Sequence, residues 1–298
     1  MASIFRRLFR RKKQPPLVCA LALDDNGSPL MDSPDHVHTN ACFIDFEPPA
    51  LLELFQSQGC ASCPPAVPSI QAAANSPNRL LLTYNVTAFD GGDWKDTLAR
   101  STWDQRQRAY LRRWQRKSLF TPQVVVNGVA DTSGANGAAD MDEVVQRARE
   151  AVHTAMPFHI LLDANDTEIH IDSDAPVPIT GYTHVGFDGL GGLVGHEGHQ
   201  GMAQAPPQPP PPSVMTHDIM VAVYQTDDQT VKIGKGVNKG KKLLHRNVVT
   251  SLTKIGEWSG GNVTVSLPSA RSAMPGGVEA VAFVQAGAGG PIVAVAKI

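Results

Sequence analysis

Residues 57–65 read SQGCASCPP, and within them Cys60 and Cys63 stand two residues apart. That spacing admits three chemistries. The pair can exchange electrons as dithiol and disulfide, supply half of a thiolate metal site, or lie buried as inert small side chains. Exchange is carried by the thiolate, and a free cysteine with a pKa of ~8.5 is mostly protonated at neutral pH. The pair follows the apolar run ALLELF and precedes a helical pattern, CPPAVPSIQAAAN. A cysteine just ahead of a helix meets free backbone amides and the positive end of the macrodipole, which favour its charged form. Two intervening residues put Cys63 about one turn on, where it can attack a mixed disulfide formed on Cys60. Strand, CxxC, helix is an order that suits redox chemistry.

Other residue types bear on the same question. Glu53 interrupts the apolar run, where a carboxylate is costly unless it has a partner or a task; a structural partner and a proton-shuttling role both fit. Thr121 and Pro122 open the apolar run TPQVVVNG, a position where a cis peptide bond is plausible. A metal site needs two further ligands. His196 and His199 in HEGH are available, but in a glycine-rich stretch that reads as a solvated loop. Cys19 and Cys42 read as unpaired thiols, with a second disulfide or an electron relay as alternatives. GKGVNKGKK lacks the Gly-x4-Gly-Lys-Ser/Thr register of a phosphate loop. GLGGLVG follows no convincing strand and makes no dinucleotide fingerprint. The basic cluster from Lys232 to Arg246 reads as the solvated face of a hairpin. Trp94, in GGDWKD, either walls the site or packs on the surface.

The elements that must position these residues follow from periodicity. ALLELF and RLLLTYNV are short buried strands. The helix after Cys60 begins with prolines, which its first turn tolerates. DTLARSTWDQRQRAYLRRWQRK places Trp103, Tyr110, Leu111 and Trp114 at helical spacing. TPQVVVNGVA is a strand ending in an Asn-Gly turn. AADMDEVVQRAREAVHTA is a helix, capped by Asp140 or a neighbour, with acids in its first turn. The whole is an α/β unit over 48–156. FHILLDA and TEIHID resemble a strand pair, and 173–213 is a Gly- and Pro-rich insert ending in APPQPPPP. Alternating runs from DIMVAVYQ to PIVAVAKI then predict an antiparallel, sandwich-like β domain over 157–298, the strands flanking the insert pairing with each other.

Composition sets the limits. A chain of 298 residues, 42% hydrophobic, can build its cores without disulfide stapling, and four cysteines are too few for a secreted disulfide scaffold. Six of the 26 Lys and Arg residues fall in the first 13 positions, with no acid among them. The remainder is net acidic, which argues against nucleic-acid binding. Residues 1–47 read as a basic leader and a loosely structured lead-in. The leader lacks the apolar stretch of a secretory signal. It reads as a basic tail, or as a segment able to lie on an anionic membrane or direct mitochondrial import. Ala280 to Ala296 is a strand, turn, strand pattern and not a membrane span. A reducing cytoplasm is the expected location, with mitochondria the alternative.

LLELFQSQGCASCPPA, NVTAFDGGDWKD, RQRAY, TPQVVVNG and GKGVNKGKKLLHRNVVTSLTKIGEW together resemble the thioredoxin-like family catalogued as domain of unknown function 1223. The likeness covers roughly 48–298 apart from the insert. It implies a thioredoxin-like fold in which Cys60 attacks, Cys63 resolves, Pro122 is a cis-proline facing the pair and Thr121 offers backbone hydrogen bonds to a bound peptide. Glu53 would match the buried acid that shuttles a proton to Cys63, though it stands one residue further from the first cysteine than in thioredoxin-type motifs. ASCPP also lacks the usual Gly-Pro or Pro-His between the cysteines. The expectation is a thiol–disulfide oxidoreductase acting on protein or small-molecule disulfides, without a bound cofactor and with a reductase as possible partner. A scaffold whose β domain holds a ligand or partner is the alternative, and copper or zinc handling a third reading.

Overall fold

Burial on both faces explains why the first strand is apolar at every position but Glu53 and its last residue, Gln56. β1 (Ala50–Gln56) has no exposed residue; it lies between β2 (Arg79–Asn85), parallel to it, and the antiparallel β3 (Gln123–Val126). A central strand covered above and below has no reason to alternate apolar with polar residues. The structure, a computed structural model, describes residues 49–156, 160–174 and 215–298. The leader, Cys19, Cys42, the insert and the HEGH histidines lie outside the described residues.

β3 turns through Asn127 and Gly128, at φ of 47° and 67°, into β4 (Ala130–Thr132). The Val129 amide donates to the Val126 carbonyl at 3.1 Å across these two residues, a turn with both central φ positive that Asn-Gly suits, and Val126 pairs with Ala130. Gly128 is also required sterically, because a Cβ there would stand 2.2 Å from the Gly290 carbonyl oxygen.

Among the described residues three α-helices flank the sheet. α1 (Cys63–Ala74) starts with prolines in its first turn and keeps Pro68 inside. α2 (Ser101–Arg113) and α3 (Ala138–Ala155) match the expected amphipathic segments. The α3 cap is Gly137, not Asp140; Asp140 lies in the first turn and accepts from the Thr132 hydroxyl at 2.5 Å. α1 and α3 cover one face of the sheet, packing Val67, Ile70, Val144 and Val145 on Leu52, Leu54, Val124 and Val126. α2 covers the other face, with Trp103, Tyr110 and Trp114 among Leu51, Phe55 and Tyr84.

The strands after residue 156 extend this sheet. β7 (His217–Gln225), β10 (Val248–Trp258), β12 (Val278–Gln285) and β13 (Ile292–Lys297) are antiparallel to one another. β10 then runs parallel to β2 through the pair Val248 and Thr83. The result is one eight-stranded sheet, ordered β13-β12-β7-β10-β2-β1-β3-β4. β2 without β10 would be an open edge, a template for unwanted pairing. The architecture is therefore mixed α/β around a large central sheet, within one compact unit, Pro48–Ile298.

A sandwich-like relation holds locally. β5 (Ile160–Ala164), β6 (Glu168–Ser173) and β11 (Val263–Ser266) form a second sheet in the order β11-β6-β5. Leu162, Ile169 and Ile171 pack there on Ile219, Val221, Ala282 and Ala294. The strands flanking the insert do not pair with each other as expected. β6 belongs to the small sheet and β7 to the large one, because each finds an apolar partner elsewhere. The remaining pair, β8 (Gln229–Lys232) and β9 (Lys242–His245), is a separate hairpin.

Candidate functional site

Leu52 and Leu54 face α1, so the chain leaving β1 delivers Cys60 and Cys63 to the helix's amino end on that same face. Both cysteines are free, with 3% and 2% of their surface exposed. The Cys63 thiol donates to Cys60 Sγ, which is the largest influence on either group. That bond, helped by the backbone amides of Ser62 and Cys63, outweighs burial and pushes the Cys60 pKa down to about 5. The same bond, together with burial, holds the Cys63 thiol far above its ordinary range. One sulfur is an anion at neutral pH and its neighbour keeps the proton, which is the asymmetry an attacking and a resolving thiol require.

Cys60 Sγ also lies 3.4 Å from the carbonyl oxygen of Thr121. The peptide bond from Thr121 to Pro122 is cis, and Pro122 is buried. Thr121, Pro122 and the two cysteines are thus brought together.

Glu53 is not. Strand alternation turns its side chain to the opposite face from Leu52 and Leu54, among the residues under α2. There its carboxylate accepts from Arg106 Nε at 2.5 Å and Arg106 Nη2 at 3.0 Å, and from the Tyr110 hydroxyl. The Arg106 guanidinium stacks within 5.8 Å of the Tyr84, Tyr110 and Phe283 rings. Gln285 closes the cluster by donating to the Tyr110 hydroxyl at 3.2 Å. Of the two roles open to Glu53, this is the structural one: it ties α2 to β1 and β12, with the sheet between it and the sulfurs.

The loop before Cys60 is held by groups that sequence reasoning missed. The Cys60 amide donates to the Ser57 carbonyl at 3.1 Å. The Gln58 amide donates to Asp96 Oδ2 at 2.7 Å, while Asn85 Nδ2 donates to the same oxygen at 2.9 Å. Burial raises the Asp96 pKa against these bonds. Asn238, from the lysine-rich GKGVNKGKK segment, donates Nδ2 to the Gln58 carbonyl at 2.9 Å and to the Cys60 carbonyl at 2.7 Å. Trp94 donates Nε1 to Gln58 Oε1 at 3.0 Å. It therefore does help wall the site. The segment from Lys232 to Arg246 forms the expected hairpin with exposed lysines, but its tip clamps the dithiol loop. Behind Cys63 lies a cavity of about 140 Å³ that His245 also lines. Burial lowers the His245 pKa to about 4, so the imidazole is neutral, with Nδ1 2.8 Å from Gln56 Nε2.

Among the described residues no three His, Cys, Asp or Glu side chains come together as a metal site. Among them, too, no helix is long and apolar enough to cross a membrane.

Fold and site together define a mixed α/β protein carrying a polarised dithiol at a helix amino end. The chain belongs to the family described as protein of unknown function DUF1223, whose model matches residues 51–183 and 197–285. No curated protein matches it. Among solved structures it is similar to protein AGR_C_4864 from Agrobacterium tumefaciens, at 25% identity over 85% of this chain and 95% of that one, with a TM-score of 0.58. It is also similar to HBP35 of Porphyromonas gingivalis, at 12% identity over 85% of this chain and 76% of that one, with a TM-score of 0.51. The second likeness is one of fold alone.

Proposed function

We propose that the protein is a thiol–disulfide oxidoreductase with a thioredoxin-like core. Support for the core comes from the element order: β1, CxxC, α1, β2, α2, then the cis-proline strand β3, the β4 hairpin and α3. Support for the chemistry comes above all from the placement of two free cysteines at the start of α1, with Cys60 Sγ 3.4 Å from the Thr121 carbonyl oxygen beside the cis Thr121–Pro122 bond.

The Cys60 thiolate attacks one sulfur of a substrate disulfide, forms a mixed disulfide and releases the first substrate thiolate. Cys63 loses its proton and attacks Cys60 Sγ, which frees the second substrate thiolate. Two electrons have passed to the substrate and a Cys60–Cys63 disulfide remains. The reverse sequence oxidises a substrate dithiol. An external thiol or disulfide pool, or a partner reductase, restores the starting state. In this scheme Thr121 and Pro122 bound the space the substrate sulfur enters.

The test is the two-electron couple. Equilibration in graded glutathione buffers followed by quantitative thiol labelling is expected to show one step that Cys60→Ser abolishes. Absence of that step removes the enzyme reading. A Cys60→Ser, Cys63→Ser double variant that keeps its biological activity would instead favour a binding module.

A further inference from the structure

Two loops that carry no reacting atom meet beside Gly59, the residue preceding the attacking cysteine. One follows β2 and runs through Phe89 and Trp94; the other is the tip of the β8–β9 hairpin around Lys235 and Val237. They enclose a pocket of about 400 Å³, open to solvent, with Gly59 in its wall. That volume suits part of a peptide or a small ligand. The loops are locked together, since the Trp94 ring lies 3.0 Å from where a Gly234 Cβ would stand. Asn238 ties the second loop to the carbonyls on both sides of Gly59. The pocket is therefore fixed relative to Cys60.

Its rim is apolar. Phe89 is 42% and Val237 64% exposed, from opposite loops. Outside the pocket, Leu119 and Phe120 are 37% and 38% exposed, immediately before the Thr121 carbonyl that touches Cys60 Sγ. Four of the five large hydrophobic side chains exposed among the described residues thus lie on segments that contact the dithiol loop. Exposed apolar groups concentrated in this way mark an interaction surface. The pocket wall carries Lys235 from the hairpin and Asp93 from the other loop, while the hairpin exposes Lys232, Lys239, Lys241 and Lys242 as well and has no acid from Gln229 to Gly256, so its side is the basic one.

An occupant that covers this apolar surface must reach both the pocket and the Leu119–Phe120 segment outside it. A small thiol seated in the pocket would leave Leu119 and Phe120 uncovered. An extended polypeptide, advancing about 3.3 Å per residue, crosses the site and covers both. We propose that the pocket seats a cysteine-containing polypeptide segment in extended form. An apolar side chain near its cysteine lies between Phe89 and Val237, and its carboxylates face the hairpin lysines. The chemistry of such a complex rests on the function proposed above; the binding does not.

The experiment separates the two. The full chain carrying Cys60→Ser and Cys63→Ser is ¹⁵N-labelled and titrated with three nine-residue peptides having serine in place of cysteine. One carries phenylalanine two residues before the serine and glutamates at both ends. The second has glycine for phenylalanine, and the third lysine for glutamate. The first peptide is expected to shift the Gly91, Gly92 and Gly236 amides and the Trp94 indole, and to bind at least tenfold more tightly than the others. Phe89→Ser and Val237→Ser, both at exposed positions, are expected to cost tenfold in its affinity, and Lys235→Glu to remove the preference for acid. Equal binding of all three peptides, no shift at these resonances, or their displacement by glutathione disulfide alone would overturn the proposal. Peptide binding without a redox step in the wild-type chain would sink the oxidoreductase and leave the pocket standing; a redox step without selective binding would do the reverse.

Discussion

At the scale of single residues, the proposed function turns on where one proton sits. With Cys63 donating and the Cys60 pKa at about 5, Cys60 is a thiolate throughout the neutral range. Its alkylation by iodoacetamide is expected to be flat with pH from about 7 upward and to fall roughly tenfold per unit below about 5, as protonation removes the nucleophile. Cys63→Ala deletes the largest stabilising bond, so the midpoint is expected to move up towards the ordinary thiol value of ~8.5. Mass spectrometry of the alkylated protein reads both, and a wild-type midpoint near 8.5 would refute the assignment. Glu53→Gln makes the complementary test. It leaves the Arg106 guanidinium buried without its counter-charge, at a cost of about 3–5 kcal/mol in urea unfolding. The Cys60 midpoint is expected to stay in place, because the carboxylate lies across the sheet from the sulfurs; a shift of one unit or more would restore the proton-shuttle role. That carboxylate shows a limit of sequence reading. A run apolar at nearly every position marks a strand buried on both faces, but it does not say which face packs on the dithiol helix and so on which side of the sheet Glu53 falls.

At the scale of elements, the dithiol loop is set by parts remote in sequence. Cys60, Cys63, the cis-proline strand and the Asn-Gly hairpin were legible because each carries a local signature. Asn238 carries none: it stands 178 residues from Cys60, in a segment whose lysines read as a solvated face. Asp96 and Gln58 are hidden likewise, since a buried polar network is written in three dimensions and not in any short spacing. The network makes its own prediction. Asn238→Ala deprives two backbone carbonyls of their donor, and an unsatisfied buried carbonyl costs about 1–3 kcal/mol. A loss of about 2–4 kcal/mol in unfolding free energy is expected, with faster amide exchange confined at first to residues 57–60 and the hairpin tip. Unchanged protection there would show that Asn238 follows the loop's shape instead of setting it.

At the scale of the whole molecule, the unexpected feature is the seam between β2 and β10. The α/β and all-β textures on either side of residue 156 read as two domains, because local pattern reports an element's own faces and not its neighbour. The seam itself is short: Val248 opposite Thr83, an amide of Thr83 donating to the Asn247 carbonyl at 2.9 Å, and Asn247 Nδ2 donating to the Leu81 carbonyl at 2.9 Å. What joins the halves is the layer beneath α2, where Leu51, Phe55, Tyr84 and Tyr110 share one buried cluster with Ala222, Tyr224, Val281 and Phe283. Burying one large apolar side chain contributes about 1.5–3 kcal/mol, so separating the halves would expose more than either could lose. The intact chain is therefore expected to unfold as one unit. Tryptophan replacement gives the measurement. One variant keeps only Trp258, in β10; a second keeps only Trp103 and Trp114, in and just after α2; phenylalanine stands at the other positions. Each variant is followed through urea by its own fluorescence and by circular dichroism of the whole backbone. Within a variant the two signals are expected to share a midpoint, since the Trp258 side and the α2 side lose structure together. A circular dichroism curve in two steps, with Trp258 following one step and α2 the other, would establish two independent domains. Asn238 would then be clamping the dithiol loop across a domain boundary and not from within a single fold.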